Sequence, residues 1–128
     1  MFLLLDTSTP LCKLILVEGE RRYEYPWQAD RELAKGLLEH IVSTLGKHNT
    51  TIQELKGLGV FRGPGSFTGL RIGISTLNTI AAFENIPIVG YEGDMWQESC
   101  LEFLQNGENQ KIVLPEYGRT ARITKPRK

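Results

Sequence analysis

Cysteine and histidine, the side chains most used to hold metals or attack substrates, number only two each in this sequence. Cys12 and Cys100 form no CxxC pair, and nothing around them speaks for a secretory setting. Two reduced thiols are therefore expected, not a disulfide. His40 and His48 stand eight apart and make neither an HxxxH nor an HExxH pair, so no metal site is expected. No apolar run approaches the ~20 residues that span a bilayer. The start, Met1 to Thr9, breaks at Asp6 and has no basic leader, so it reads as a strand and not as a signal peptide. A cytoplasmic protein without membrane contact is the expectation.

Net charge is lacking too, but only as a sum. Residues 118–128 hold Arg119, Arg122, Lys125, Arg127 and Lys128 with no acid, which leaves ten basic against fifteen acidic side chains elsewhere. The body is mildly acidic and the tail is basic. Such a tail could bind a polyanion by releasing counterions from phosphates, and tRNA is the candidate. A solvated terminus without a role is the competing reading.

What is present is ordinary globular sequence: 41% hydrophobic and 23% charged over 128 residues, enough for one domain. Phe2 to Leu5 reads as a strand, followed by the polar turn Asp6–Thr9. Cys12–Val17 and Arg21–Trp27 read as a hairpin around Glu18-Gly19-Glu20. Asp30 is a plausible N-cap for a helix from Arg31 to Lys47. That helix has Leu33, Leu37, Ile41 and Leu45 at i+4 spacing, with Ala34, Leu38 and Val42 about 100° round. Lys56–Phe61 reads as a buried strand, Ser66 to Glu84 as a helix capped by Ser66, and Ile86–Gly90 as a fifth strand. Asp94–Gln105 reads as a third helix, and Lys111–Tyr117 as an extended segment. Three meandering strands followed by alternating helices and strands predict an α/β fold with a mixed five-stranded sheet. That order is ribonuclease-H-like and is shared by the actin-like ATPases.

The segment Arg62-Gly63-Pro64-Gly65-Ser66-Phe67-Thr68-Gly69-Leu70-Arg71-Ile72-Gly73 is the most informative. A glycine loop opening a helix can cradle an anion with its free amides. Yet no Walker-type lysine follows and the GxGxxG spacing is missing. The other reading is packing, with Gly69 and Gly73 one turn apart so that another backbone can come close. Along the helix, Phe67, Leu70, Ile74, Leu77 and Ala81 fall within about 80° and should face the sheet. Ile72 and Phe83 fall opposite, with Gly69, Gly73 and Ile80 between. A helix apolar on more than one face has a second layer above it or a partner. A nuclease would need several carboxylates at strand ends, and Asp6 stands alone there.

Leu4-Leu5-Asp6-Thr7-Ser8-Thr9 and Gly63-Pro64-Gly65-Ser66-Phe67-Thr68-Gly69-Leu70-Arg71-Ile72-Gly73 closely resemble the TsaB (YeaZ) family. The likeness runs on through Ile86-Pro87-Ile88-Val89-Gly90, and Pro115-Glu116-Tyr117-Gly118-Arg119 is similar to the family's closing element. The resemblance implies a ribonuclease-H-like lobe of the actin-like superfamily. It also implies a non-catalytic part in making threonylcarbamoyladenosine on tRNA, without a cofactor. The implied partners are the catalytic subunit TsaD and, with it, the ATPase TsaE. The implied contact is through the first two helices, which form a four-helix bundle with TsaD or, in the protein alone, with a second copy. Leu33, Leu37, Ile41, Gly69, Ile72, Gly73, Ile80 and Phe83 are the expected partner-binding residues. Gly63, Pro64, Gly65, Ser66 and Thr68 form the motif loop.

Family members carry a second lobe where only Tyr91 to Leu114 stands here. The expected division is thus the lobe at 1–91, a remnant at 92–117 and the basic tail at 118–128. A small nucleotide- or phosphate-binding protein of the same superfamily is the alternative reading.

Overall fold

The structure, a computed structural model, describes residues 1–116. Five strands form one sheet: β1 (Phe2–Asp6), β2 (Leu11–Glu18), β3 (Arg21–Gln28), β4 (Gly57–Phe61) and β5 (Ile88–Tyr91). Their order is β3-β2-β1-β4-β5; the first three are antiparallel neighbours, while β4 and β5 run parallel to β1. The helices are α1 (Leu33–Gly46), α2 (Phe67–Glu84) and α3 (Trp96–Gln105).

The central strands are apolar on both faces because both faces are covered. Leu3, Leu5, Leu14, Leu16, Leu58, Val60 and Ile88 point into one core with α1 and α2. Leu4, Ile15, Val17 and Val89 point into the other with α3. Beneath α3, β4 has glycine at alternate positions. A Cβ at Gly59 would lie 2.9 Å from the Cys100 Cβ, so the missing side chain is what lets α3 approach. Cys12 belongs to the first core and Cys100 to the second, with the sheet between them, and both thiols are free. Burial pushes the Cys12 thiol up to about 11 and the Cys100 thiol up to about 12.

Two local expectations need correction. Asp30 does not cap α1; it sits in a 3-10 turn at φ 49° and its carboxylate accepts from the Gln28 amide at 2.8 Å. The amides of Ala29 and Asp30 both reach the Pro10 carbonyl, which ties down the end of β3 and delays the helix to Leu33. The third helix starts at Trp96, not Asp94. Residues 111–116 form a strap along the free edge of β5, outside any helix or strand. Two β5 amides, Ile88 and Gly90, donate to the side chains of Asn109 and Gln110, so no ladder forms.

Candidate docking interface

α1 carries two apolar ridges, and the structure decides which is inside. Leu33, Leu37, Ile41 and Leu45 are buried in the core shared with α2 and the sheet. Leu33, Leu37 and Ile41, expected at a partner contact, therefore hold the lobe together instead. The outer ridge is Ala34, Leu38 and Val42, all exposed, with Leu38 and Val42 each 52% accessible. Spacing alone presents both ridges as candidates. The inner one is bulkier and one turn longer, and that is the signal that could have separated them.

On α2, Leu70, Gly73, Ile74, Leu77, Ile80 and Ala81 are buried. Gly73 and Ile80 thus also leave the expected contact set. Ile72 is half-buried, while Phe83 is 83% exposed near the helix end. Phe67 was expected against the sheet but lies exposed in the first turn, with the Arg71 guanidinium 5.1 Å from its ring centre. It precedes the stretch of α2 that crosses the strands.

The glycine-rich loop is occupied from within. A Cβ at Gly65 would meet Ser8, one at Gly69 the Thr7 carbonyl oxygen, and one at Gly73 the Thr7 side chain. The Thr7 hydroxyl donates to the Gly69 carbonyl at 2.7 Å, and the Ser66 amide donates to the Ser8 carbonyl at 2.9 Å. The backbone that comes close to this helix is therefore the lobe's own β1–β2 loop. Gly63, at φ 129°, abuts the Glu116 carbonyl oxygen. Ser66 caps α2 by accepting from the Gly69 amide at 3.2 Å; Pro64 and Thr68 are exposed on either side. Asp6, the one carboxylate of β1, accepts from the Ser8 amide at 2.9 Å.

The histidines lie apart from this surface, between α1 and β3. His48 Nε2 and the Tyr25 hydroxyl share a 2.6 Å hydrogen bond, and His40 rests 5.0 Å from the Trp27 ring. Among the described residues no group of three or more His, Cys, Asp or Glu could hold a metal. Nor, among them, is any helix long and apolar enough to cross a membrane. Arg119, Arg122, Lys125, Arg127 and Lys128 lie outside the described residues.

A five-stranded mixed sheet flanked by α1 and α2 on one face and α3 on the other is a ribonuclease-H-like lobe of the actin-like superfamily. Solved structures share it, among them two from Pseudomonas aeruginosa. One is YeaZ from Pseudomonas aeruginosa, with TM-score 0.67 and 26% identity over 83% of this chain and 49% of that one. The other is a Pseudomonas aeruginosa protein described as similar to peptidase YeaZ, with TM-score 0.66 and 28% identity over 71% and 42%. A family model described as TsaD, tRNA N6-adenosine threonylcarbamoyltransferase, matches residues 24–92, just over half of the chain. The TsaB proteins of Escherichia coli and Haemophilus influenzae, tRNA threonylcarbamoyladenosine biosynthesis proteins, are each 31% identical, over 69% and 68% of this chain. A tRNA N6-adenosine threonylcarbamoyltransferase of Listeria monocytogenes is 32% identical over 58% of it. The chain belongs to the threonylcarbamoyltransferase-related family, on its TsaB/YeaZ branch. It spans 38% and 37% of the length of the two TsaB relatives.

Proposed function

We propose that this chain is a non-catalytic docking subunit in the synthesis of threonylcarbamoyladenosine on tRNA, and that its partner is a TsaD-type threonylcarbamoyltransferase. One observation carries the reading: Leu38 and Val42 of α1, with Ala34, form a continuous apolar ridge in solvent, and Phe83 of α2 is exposed as well. Isolated exposed leucines are ordinary, but an i+4 ridge on a helix whose other ridge already fills the core is surplus. A partner helix seated on it would bury that surface. Ile72 and Phe83 remain in the proposed contact set, joined by Ala34, Leu38 and Val42. In the absence of TsaD, a second copy would cover the same ridge by an isologous pairing. The site of action is where tRNA is modified, the cytoplasm.

The alternative, phosphate or nucleotide binding at Gly63–Gly69, is disfavoured. The Thr7–Ser8 loop packs directly against Gly65, Gly69 and Gly73, which accounts for these glycines without a ligand, and the motif loop itself carries no cationic side chain. Catalysis by the chain itself is disfavoured because Asp6 has no second carboxylate beside it in the motif segments. Titration calorimetry with a purified TsaD-type enzyme tests the reading. Binding by the wild type that Leu38→Glu abolishes supports docking, whereas unchanged binding by Leu38→Glu rejects it.

A further inference from the structure

β5 is the last strand of the sheet, so one of its edges has no strand beside it. The Leu58 amide donates to the Pro87 carbonyl and the Arg62 amide to the Tyr91 carbonyl, both at 2.9 Å. Residues 87 and 91 thus turn their carbonyls to β4, and Ile88 and Gly90, alternating with them, turn their backbone groups outward. The strand, Ile88-Val89-Gly90-Tyr91, has neither the charges nor the proline with which edge strands repel a second strand. β3, at the opposite edge, has both: Arg21, Arg22 and Glu24 are exposed, and Pro26 lacks an amide hydrogen.

Residues 109–112 meet the β5 edge as a parallel strand that stops after one rung. The Gln110 amide donates to the Ile88 carbonyl at 2.8 Å, as a parallel neighbour's would. In a continuing ladder the Gly90 amide would then donate to the Gln110 backbone carbonyl. It donates instead to the side-chain oxygen Oε1 of Gln110 at 3.1 Å, while the backbone carbonyl accepts from the Ile112 amide at 2.8 Å. That bond between residues two apart closes a γ-turn around Lys111, whose φ of 69° is one that non-glycine residues rarely adopt. Asn109 Oδ1 braces the turn, accepting from the Ile88 amide at 3.1 Å and from the Lys111 amide at 2.9 Å. Beyond the turn both backbone groups of Val113 bond to Asn78 of α2, and the Leu114 carbonyl accepts from Arg62 Nε.

We propose that Asn109, Gln110 and Lys111 form a sheet terminator, which satisfies the outward amides of β5 with side chains and keeps a second copy of this chain from adding a strand there. Side-chain oxygens fill the acceptor positions of a neighbouring strand without creating a new row of backbone groups, so the covered edge is not itself a template. A straightened strap would extend the ladder and present such a row; the bonds that hold the turn at Lys111 prevent it. The partner kept out is a second copy because every copy carries the same uncharged edge, and a two-fold axis would set one β5 antiparallel to the other. This edge is separate from the α1 ridge, and the inference does not rest on the docking reading.

The test uses the full chain with Leu38→Glu as parent, so that pairing through α1 is set aside. Light scattering from low to high micromolar concentration gives the size, and amide exchange in dilute protein gives the state of the edge. Asn109→Ala combined with Gln110→Ala should speed exchange of the Ile88 and Gly90 amides by roughly tenfold or more, and should produce dimers or larger species on concentration. Asn109→Asp combined with Gln110→Glu keeps both acceptors and should match the parent in size; association by that variant too would overturn the proposal. The terminator is also wrong if the double alanine variant keeps the parent's size at every concentration, or if its two amides exchange as in the parent. Should that variant fail to fold, Gln110→Ala alone, which frees only the Gly90 amide, decides by the same two readouts.

Discussion

Thr7 shows how much one side chain fixes here. It is almost wholly buried, its hydroxyl is bonded to the Gly69 carbonyl, and its methyl and hydroxyl fill the space beside Gly73. Gly73→Leu should therefore act inside the lobe: overpacking against Thr7 should cost ~3 kcal/mol or more, seen as a lower denaturant midpoint. A normal melting curve for that variant would contradict this packing. Leu38→Glu makes the opposite test. At an exposed helix position it should change stability by no more than about 0.5 kcal/mol, so lost partner binding would not reflect lost fold. The pair separates core glycine from surface leucine, which spacing in the sequence does not do.

At the scale of elements, α1 and the strap behave differently. α1 begins without a side-chain cap and is held by its inner ridge, so its stability comes from burial and not from its ends. The strap has almost no backbone ladder and depends on side-chain amides. Asn78→Ala would leave both polar groups of Val113 without their partners and should destabilise the protein by about 1–3 kcal/mol. Amide exchange should show the loss concentrated in residues 109–116 and the edge of β5. Uniform loss across the sheet would mean that the strap is integral to global unfolding and not a separate unit.

The whole molecule should respond to alkali through its two buried thiols. Both are held neutral by burial, with values raised from 9.0 to about 11 and about 12. Unfolding exposes them at their ordinary value, so the unfolded chain loses protons first. Stability from this source is fully present below pH 9.0 and falls as pH climbs through the native values. A Cys12→Ala and Cys100→Ala double variant should lose stability less steeply above pH 9.0 than the wild type, measured by urea midpoints. The same burial predicts slow reaction of both thiols with a water-soluble disulfide reagent in the native state. For the assembled complex, removing residues 118–128 should flatten the salt dependence of tRNA binding while leaving affinity for the TsaD-type partner unchanged. Equal slopes with and without the tail would remove its role in tRNA binding.

The sequence by itself determined the order of elements, since period-two apolar runs and i+4 ridges are set by local geometry and need no neighbours to be read. It also determined the Ser66 cap and the glycine spacing that lets a second backbone lie against α2. Only the tertiary structure decided which ridge of α1 is inside: spacing treats two ridges about 100° apart alike, and the greater bulk and length of one favours it without settling the matter until a sheet lies beneath it. It alone showed that the backbone at Gly69 and Gly73 is the Thr7–Ser8 loop, a contact between residues more than sixty positions apart. The strap was decided there too. An extended segment with amide side chains has no period, and its place follows from long-range bonds to Asn78, Ile88 and Gly90 that no local pattern encodes.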